Sequence, residues 1–504
     1  MMSMTPRQIA EAVGGRLVEA PGSERGADGP AVAGAVSDSR QVTPGTLFVA
    51  IRGERVDGHD FVARAAGAGA PAAIVEHEVP GAALAQIVVD DSVRALGDLA
   101  RHNLRLRREQ ADPFTIIGIT GSVGKTTTKD LLRAMLAELG ETVAPVGSFN
   151  NEIGMPLTAL KVGASTRFLV AEMGANHVGE IAHLTTIAPP DVAVVLKVGV
   201  AHLGEFGSVE RIAQAKSELV RGLVPHGVSV LNADDAHVAA MAAIAPGDVV
   251  WFGRGAGLGD GVERPTALGA RDVHHDELDH PSFTLTKGDR SVDVHLAICG
   301  DHNVMNALAA ATVADLMGLP LERIAAVLAD QRHISPHRMA VGEVDRDGVR
   351  FTLIDDSFNA NPDSMRAGLD GLAAWGASRA GHTVRVGVLG AMLELGADEH
   401  ELHRSIGAYA VSLGLDAVIA VGSASDAALD ALAGDIAAGA DRAAEGRDAS
   451  HPVSVKLVHD VDGADRAVRA IAAAHPGTTV LLKGSHASGL SALAERWGSE
   501  GAAA

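Results

Sequence analysis

The apolar run Phe114–Ile119 passes directly into Thr-Gly-Ser-Val-Gly-Lys-Thr-Thr at 120–127, and no other stretch restricts the fold so tightly. A buried strand that turns through glycines into a helix opening with Lys-Thr is a phosphate cradle. Gly121, Ser122 and Gly124 let the turn aim backbone N–H groups at an anion, and the helix N-terminus adds its partial positive charge. Lys125 reaches the terminal phosphates, Thr126 offers a hydroxyl to Mg²⁺, and Thr127 continues the same turn. The usual P-loop carries a glycine five residues before its last one; that position is Ile119 here, so this is a shorter form of the loop. The expected ligand is a nucleoside triphosphate.

A chain of 504 residues suggests about three domains. With 47% apolar and 21% charged residues the composition is that of a globular α/β protein. The net charge of −21 lacks the basic footprint of a nucleic-acid binder, so no nucleic-acid partner is expected. One cysteine, Cys299, excludes an internal disulfide, and its apolar surroundings at 294–299 read as buried filler. Gln8 and Glu11 interrupt Met1–Gly15 where a signal peptide needs an unbroken apolar core. No run approaches the roughly 18 apolar residues of a spanning helix. A cytoplasmic protein without membrane insertion is expected.

Three segments follow from the pattern. Residues 1–110 open with a short amphipathic helix and carry strands at Thr46–Ile51 and Ala72–Val75; the arginine-rich helix Val93–Arg108 closes them, and Asp112-Pro113 marks a break. Residues 111–334 alternate strands with helical patterns, at Phe114–Ile119, Arg167–Glu172, Val192–Val198 and Val228–Leu231, which argues for βαβ units and a mainly parallel sheet. Residues 335–504 repeat the alternation, at Phe351–Ile354, Val384–Leu389, Ala417–Val421, Val453–Leu457 and Thr479–Leu482, as a second, Rossmann-like doubly wound sheet. The Gly-, Asp- and His-rich stretch Gly255–Ser291 reads as an excursion from the central segment. Within it, the His-rich piece Asp272–His280 suggests either metal binding or a solvated loop, and the loop is favoured because its spacings fit no regular metal site.

Ligands of open α/β sheets bind beyond the carboxyl ends of the strands, and polar residues recur there. Glu172 ends one strand and is placed to hold Mg²⁺ beside a triphosphate. His202 follows the next strand, a position that suits a ligand and equally an ordinary surface or core histidine. Ser208 reads as the N-cap of a helix on which Lys216 lies two turns in; by itself such a lysine reads as a solvated face. Asn303 and Asn306 share the first turn of an alanine-rich helix. An asparagine amide can pair with the N6/N7 edge of adenine, although N-capping by Asp301 or Asn303 also accounts for part of that cluster.

Together these residues resemble the Mur ligase family of cell-wall enzymes. The likeness covers nearly the whole chain, with motifs in order at 120–127, 172–176 (Glu-Met-Gly-Ala-Asn), 201–203, 215–218 and 301–306. It continues at 337–338 (His-Arg), 356–365 (Asp-Ser-Phe-Asn-Ala-Asn-Pro-Asp-Ser-Met), 389–396 and 482–485. The 356–365 segment, with Ser-Asp-Ser-Arg at 37–40 and Asp-Gly-His-Asp-Phe at 57–61, is similar to the branch that adds D-alanyl-D-alanine to UDP-N-acetylmuramoyl-tripeptide.

The resemblance implies an ATP-dependent ligase of peptidoglycan precursor synthesis working through an acyl phosphate, as a monomer. The N-terminal segment would bind the UDP-muramoyl peptide and the C-terminal one D-alanyl-D-alanine. Lys125, Lys216 and His202 would be catalytic. Two Mg²⁺ ions would be held by Thr126, Glu172, His202 and Lys216, the last as a carbamylated lysine. Asn303 would read adenine, Arg338 hold a terminal phosphate and Asp356 accept from ribose. Ser37 and Arg40 would hold the uridine nucleotide, Asn150 and Asn151 face the muramoyl peptide, and Asn359 and Lys483 contact substrate. Ala391 stands where the family pattern has aspartate, and His486 where arginine often follows Lys-Gly-Ser. The alternatives are a sister ligase adding a single amino acid, a non-catalytic nucleotide-binding relative, or a plain P-loop ATPase, which leaves the C-terminal motifs unexplained.

Overall fold

The computed structural model describes residues 1–498, except 21, 23–28, 54–55, 200–202, 256–263, 277–278, 332–334, 378–382 and 446–451. Three sheets follow one another along the chain. The first has five strands in the order Arg16–Val18, Ala85–Val88, Ala72–Val75, Thr46–Val49, Gly34–Val36. Its last four strands run parallel and the Arg16–Val18 edge is antiparallel. Thr46–Val49 and Ala72–Val75 are buried throughout, as continuous apolar runs covered on both faces should be. The helix Ser92–Arg108, capped by the Asp91 carboxylate, closes this unit.

Arg107 on that helix is buried and donates to the carbonyls of Thr166, Asp112 and Pro113. The break expected at Asp112-Pro113 is therefore held by a charged side chain, which satisfies carbonyls that would otherwise be orphaned.

The central sheet has nine strands. From one edge they run Thr142–Val143, Phe168–Glu172, Thr115–Thr120, Val192–Val195, Val228–Asn232, Val249–Gly253, Thr266–His275, Pro281–Lys287 and Arg290–His295. The first seven are parallel and the last two extend the sheet as antiparallel strands. Residues 272–275 of the loop expected at Asp272–His280 are thus the end of a strand, and the next strand begins at Pro281 directly after it, a correction with two physical causes. Phe283 and Leu285 are buried in alternation with Ser282 and Thr284, the period of a half-buried strand, but polar residues dominate the stretch. The register also breaks between Arg271 and His274, where Asp272 adopts φ +55°, and this interrupts the period-2 alternation of the strand.

The C-terminal sheet has six strands in the order Ala340–Arg346, Val349–Asp356, Thr479–Lys483, Arg385–Gly390, Ala417–Val421, Ser454–Val458, all parallel except the first. Asp356 and Lys483 are register partners at the carboxyl ends of adjacent strands, where such sheets place their ligands. The central and C-terminal units meet backbone to backbone at Gly204 and Gly396. Gly204 donates its N–H to the Glu394 carbonyl at 3.2 Å, and a Cβ on Gly204 would lie 2.2 Å from the Gly396 nitrogen.

Candidate active site

Gly124 initiates the helix Lys125–Ala137 in the left-handed region, at φ +84°. That conformation, natural to glycine, turns the strand Thr115–Thr120 into the helix. The lysine that follows folds back, Lys125 Nζ donating to the Gly121 carbonyl at 2.7 Å. Thr126 donates its hydroxyl to Glu172 Oε1 at 3.3 Å, and Asn150 donates to the same oxygen at 2.8 Å. Glu172 is 0% exposed, yet its Oε2 has no hydrogen-bond partner. A buried carboxylate oxygen left bare beside a threonine hydroxyl fits a divalent cation, which supplies the missing counter-charge.

Lys216, on the helix Val209–Arg221 that Ser208 caps as expected, is 2% exposed. Its ammonium lies 5.6 Å from the Phe206 ring centre. Burial first, and the Lys125 charge second, push its pKa down to about 7, against the opposing pull of Glu180 and Glu218. The solvated-face reading fails for this residue; the helix turns it inward. Burial likewise lowers the pKa of Lys125, Glu172 opposing and Arg338 adding to the shift.

Lys125, Thr126, Asn150 and Glu172, but not Lys216, border a cavity of about 540 Å³ that both the central and the C-terminal units line. Ser122, Gly124, Lys125, Thr126, Thr127, Asn150, Glu172 and Asn303 come from one side; Arg338, Asp356, Asn359 and Lys483 come from the other. Arg338 lies over the Phe358 ring at 4.6 Å, and its buried Nε has no partner. Lys483, 1% exposed, pairs with Asp356 at 2.5 Å.

Asn303 donates to the Cys299 carbonyl at 2.6 Å and accepts from Asn306 at 2.8 Å. Its amide keeps one hydrogen and one lone pair beyond those bonds. Asp301 makes no capping bond and instead pairs with Arg254 at 2.7 Å. Cys299 is buried filler as expected, its thiol pushed up to about 12 by burial.

Other expected site residues lie apart from this cavity. Asn151 accepts from the N–H groups of Ile153 and Gly154, so its side chain shapes the start of a helix. Arg40 turns back on Asp38, Nη2 to Oδ2 2.7 Å, and holds that carboxyl down to about 2. Arg40 is exposed on the N-terminal unit, near Ser37. His202 falls outside the described residues.

The sequence reading missed His302 and Lys197, which also line the cavity. Burial lowers the pKa of His302, with Asp356 pulling the other way. Its place between Asp301 and Asn303 was the available signal. Among the described residues, Asp276, His280 and His295 each put a ligand atom within 4.8 Å of the others. Asp276 also accepts from the His280 backbone and ring, at 2.9 and 3.1 Å, which accounts for that pair as loop closure.

Three family models match the chain in order. They are the Mur ligase family catalytic domain at 32–103, the Mur ligase middle domain at 119–314, and the Mur ligase glutamate ligase domain at 337–486. The UDP-N-acetylmuramoyl-tripeptide–D-alanyl-D-alanine ligase of Mycobacterium tuberculosis is 44% identical over 98% of both chains. The chain belongs to the Mur ligase family.

The ligase of the same name from Escherichia coli is 36% identical over 85% of this Mur ligase and 88% of its own length. Among solved structures, MurF from Acinetobacter baumannii is 31% identical with a TM-score of 0.79, covering 99% of each chain. MurF from Thermotoga maritima in complex with ADP is 28% identical with a TM-score of 0.71, covering 92% of this Mur ligase and 97% of that one.

Proposed function

We propose that this Mur ligase joins D-alanyl-D-alanine to UDP-N-acetylmuramoyl-tripeptide at the expense of ATP, in peptidoglycan precursor synthesis. The observation that carries the reading is the two-sided cavity. Lys125, Thr126 and Glu172 face Arg338, Asp356 and Lys483 across it, within a chain resembling UDP-N-acetylmuramoyl-tripeptide–D-alanyl-D-alanine ligases over nearly its whole length.

The tripeptide's terminal carboxylate attacks the γ-phosphorus of ATP, and ADP leaves. The resulting acyl phosphate is attacked by the amino group of D-alanyl-D-alanine, and inorganic phosphate leaves from the tetrahedral intermediate. Phosphoryl transfer needs charge neutralisation and alignment more than covalent help. The Gly121–Gly124 turn presents N–H groups to the phosphates. Lys125 moves from the Gly121 carbonyl to the terminal phosphate, and Arg338 meets that phosphate from the other side. Asp356 accepts from ribose; Asn303 reads adenine with its remaining hydrogen and lone pair. Asn150 and Asn359 contact the substrates beside the reacting carboxylate, and Lys483 holds Asp356 in place.

Thr126 and Glu172 would hold one Mg²⁺, and His202 and Lys216 a second; the ions neutralise phosphate charge. Lys216 suits the second role as a carbamate. Burial lowers its pKa to about 7, so the neutral amine is accessible near neutral pH; it adds to CO₂ and releases one proton, which turns a neutral amine into an anionic ligand.

We assign 1–110, with Ser37 and Arg40, to the UDP-muramoyl peptide, 111–334 to ATP, and 335–504 to the acceptor dipeptide. Among the described residues no helix is long and apolar enough to cross a membrane. We read the protein as a cytoplasmic monomer, since one chain lines both sides of the cavity.

The test is phosphate release from ATP with UDP-N-acetylmuramoyl-tripeptide, with and without D-alanyl-D-alanine. Phosphate and a pentapeptide product that both require the dipeptide are expected. Turnover that ignores the dipeptide and answers to a single amino acid would overturn the reading.

A further inference from the structure

Lys129 and Asp130 lie one turn into the helix Lys125–Ala137 and neither has a role in the chemistry above. Lys129 is 0% exposed, an unusual place for a lysine, which is almost never fully buried unless paired. Its ammonium donates to the carbonyls of Pro145 and Gly147, at 2.8 and 3.0 Å, and to Ser335 Oγ at 3.3 Å. It also pairs with Asp130 Oδ1 at 2.8 Å. The other Asp130 oxygen accepts both the Ser335 N–H, at 2.8 Å, and the Ser335 hydroxyl, at 2.7 Å. One carboxylate on the P-loop helix therefore grips, twice, a residue at the start of the C-terminal unit.

Three residues on stands Arg338. His337 and Met339 on either side of it adopt φ +62° and +49°, a left-handed conformation costly for residues with a Cβ. Such backbone persists only where the surroundings over-determine it, and here it is clamped at both ends. Ser335 is held by Asp130 at one end. His337 Nδ1 meets Asp355 Oδ2 at 2.7 Å, and the His337 carbonyl accepts from the Phe358 N–H at 3.2 Å, at the other. Arg338 leaves this strained segment toward the cavity, its guanidinium on Phe358 and its Nε bare.

We infer that Asp130, charge-balanced by Lys129, is a positioning residue that sets Arg338 against the triphosphate. The helix whose first turn cradles the phosphates thereby also anchors the segment that brings the opposing cation. Both phosphate-binding groups are referenced to one rigid element, so their separation is set by a helix and not by the packing of two domains. This rests on the reading of Arg338 as a phosphate ligand.

The experiment is a double-mutant cycle on the full-length enzyme with saturating UDP-N-acetylmuramoyl-tripeptide and D-alanyl-D-alanine. The variants are Asp130→Ala, Asp130→Asn, Ser335→Ala, Arg338→Ala, and Arg338→Ala combined with each of the first three. Asp130→Ala is expected to lower kcat/KM for ATP about tenfold or more, as loss of charge-assisted hydrogen bonds should. Asp130→Asn, which keeps one acceptor for Ser335, restores part of that loss. KM for the UDP-tripeptide, measured in a separate series at saturating ATP, changes less than about twofold, which separates positioning from general damage.

In the Arg338→Ala background, Asp130→Ala costs less than about twofold more, because the group it positions is gone. Full multiplication of the two defects would overturn the inference while leaving the role of Arg338 intact. Unchanged ATP kinetics in Arg338→Ala alone would overturn the phosphate reading, and the inference with it. If Asp130→Ala does not fold, Ser335→Ala, which leaves the helix untouched, carries the same cycle, and full multiplication with Arg338→Ala overturns the inference there too.

Discussion

Gly124 and Asn306 are so close that a Cβ on the glycine would lie 2.2 Å from the Asn306 amide oxygen. Asn306 in turn donates to Asn303 and stands 3.4 Å from the Thr128 hydroxyl. The phosphate turn thus rests directly on the helix His302–Leu316. Gly124→Ala meets both a left-handed φ of +84° and that clash. The φ alone costs about 1–2 kcal/mol. The expected outcome is a lowered melting temperature and loss of ADP binding in titration calorimetry.

Glu172→Gln keeps an oxygen for the Thr126 and Asn150 bonds but removes a buried charge whose Oε2 has no partner. Activity should fall on the order of 100-fold, the scale of charge stabilisation by a bound metal, and the Mg²⁺ concentration for half-maximal rate should rise. A rate unaffected at every Mg²⁺ concentration would remove Glu172 from the metal site.

Lys216 carries a pKa lowered from 10.5 to about 7. Between those values the unfolded chain binds a proton that the folded one does not, so stability from this group rises with pH across that window. Below about pH 7 both states are protonated and the full burial penalty applies. In CO₂-free buffer, Lys216→Met should therefore melt higher than the parent at pH 6, with the gain shrinking toward pH 10. Labelled bicarbonate should give a carbamate carbon signal in the parent, growing as pH rises through 7, and none in the variant.

His403 is fully buried; its Nε2 accepts the Met392 N–H at 2.8 Å while Nδ1 donates to the Glu399 carbonyl at 2.6 Å. Burial lowers its pKa below 6.5, so the unfolded chain takes up a proton first and stability falls as pH drops below 6.5. His403→Leu should cost roughly 1–3 kcal/mol at pH 8 through the orphaned Met392 N–H. The variant should also lose part of the acid sensitivity in a pH series of urea melts.

Lys483 and Asp356 form a pair in which the lysine is buried and the carboxylate mostly so. Lys483→Met alone strands the carboxylate and should cost roughly 3 kcal/mol. Adding Asp356→Leu should recover most of the stability without recovering ATP turnover. A double variant as unstable as the single one would mean that the aspartate is held by other partners.

Much of this architecture was legible because continuous apolar runs bounded by turns leave little choice. Ala72–Val75 and Ala417–Val421 match the expected runs, and Thr115–Thr120 is displaced by one residue from its own. The strands that escaped the pattern are short, as at Arg16–Val18 and Thr142–Val143, or polar and bulged, as at Thr266–His275. Local pattern carries little signal for a strand whose pairing comes from distant neighbours.

The site divides in the same way. The phosphate turn is a contiguous motif, and Glu172 ends a strand beside it. The burial of Lys216, the engagement of the Asn303 amide and the turning of Arg40 onto Asp38 each depend on which side chains the fold brings alongside. His302 sits inside a motif already singled out, but the charges it feels are those of Asp356 and Lys483 across the cavity, a relationship that linear spacing does not contain.

The meeting of Gly204 with Gly396 bears on how such an enzyme lets go. Two main chains touch there with no side chains between them, so parting them unthreads nothing and uncovers little apolar surface. A catalyst that must release a bulky nucleotide-linked product in every cycle has, at that seam, a fastening that opens without repacking a core.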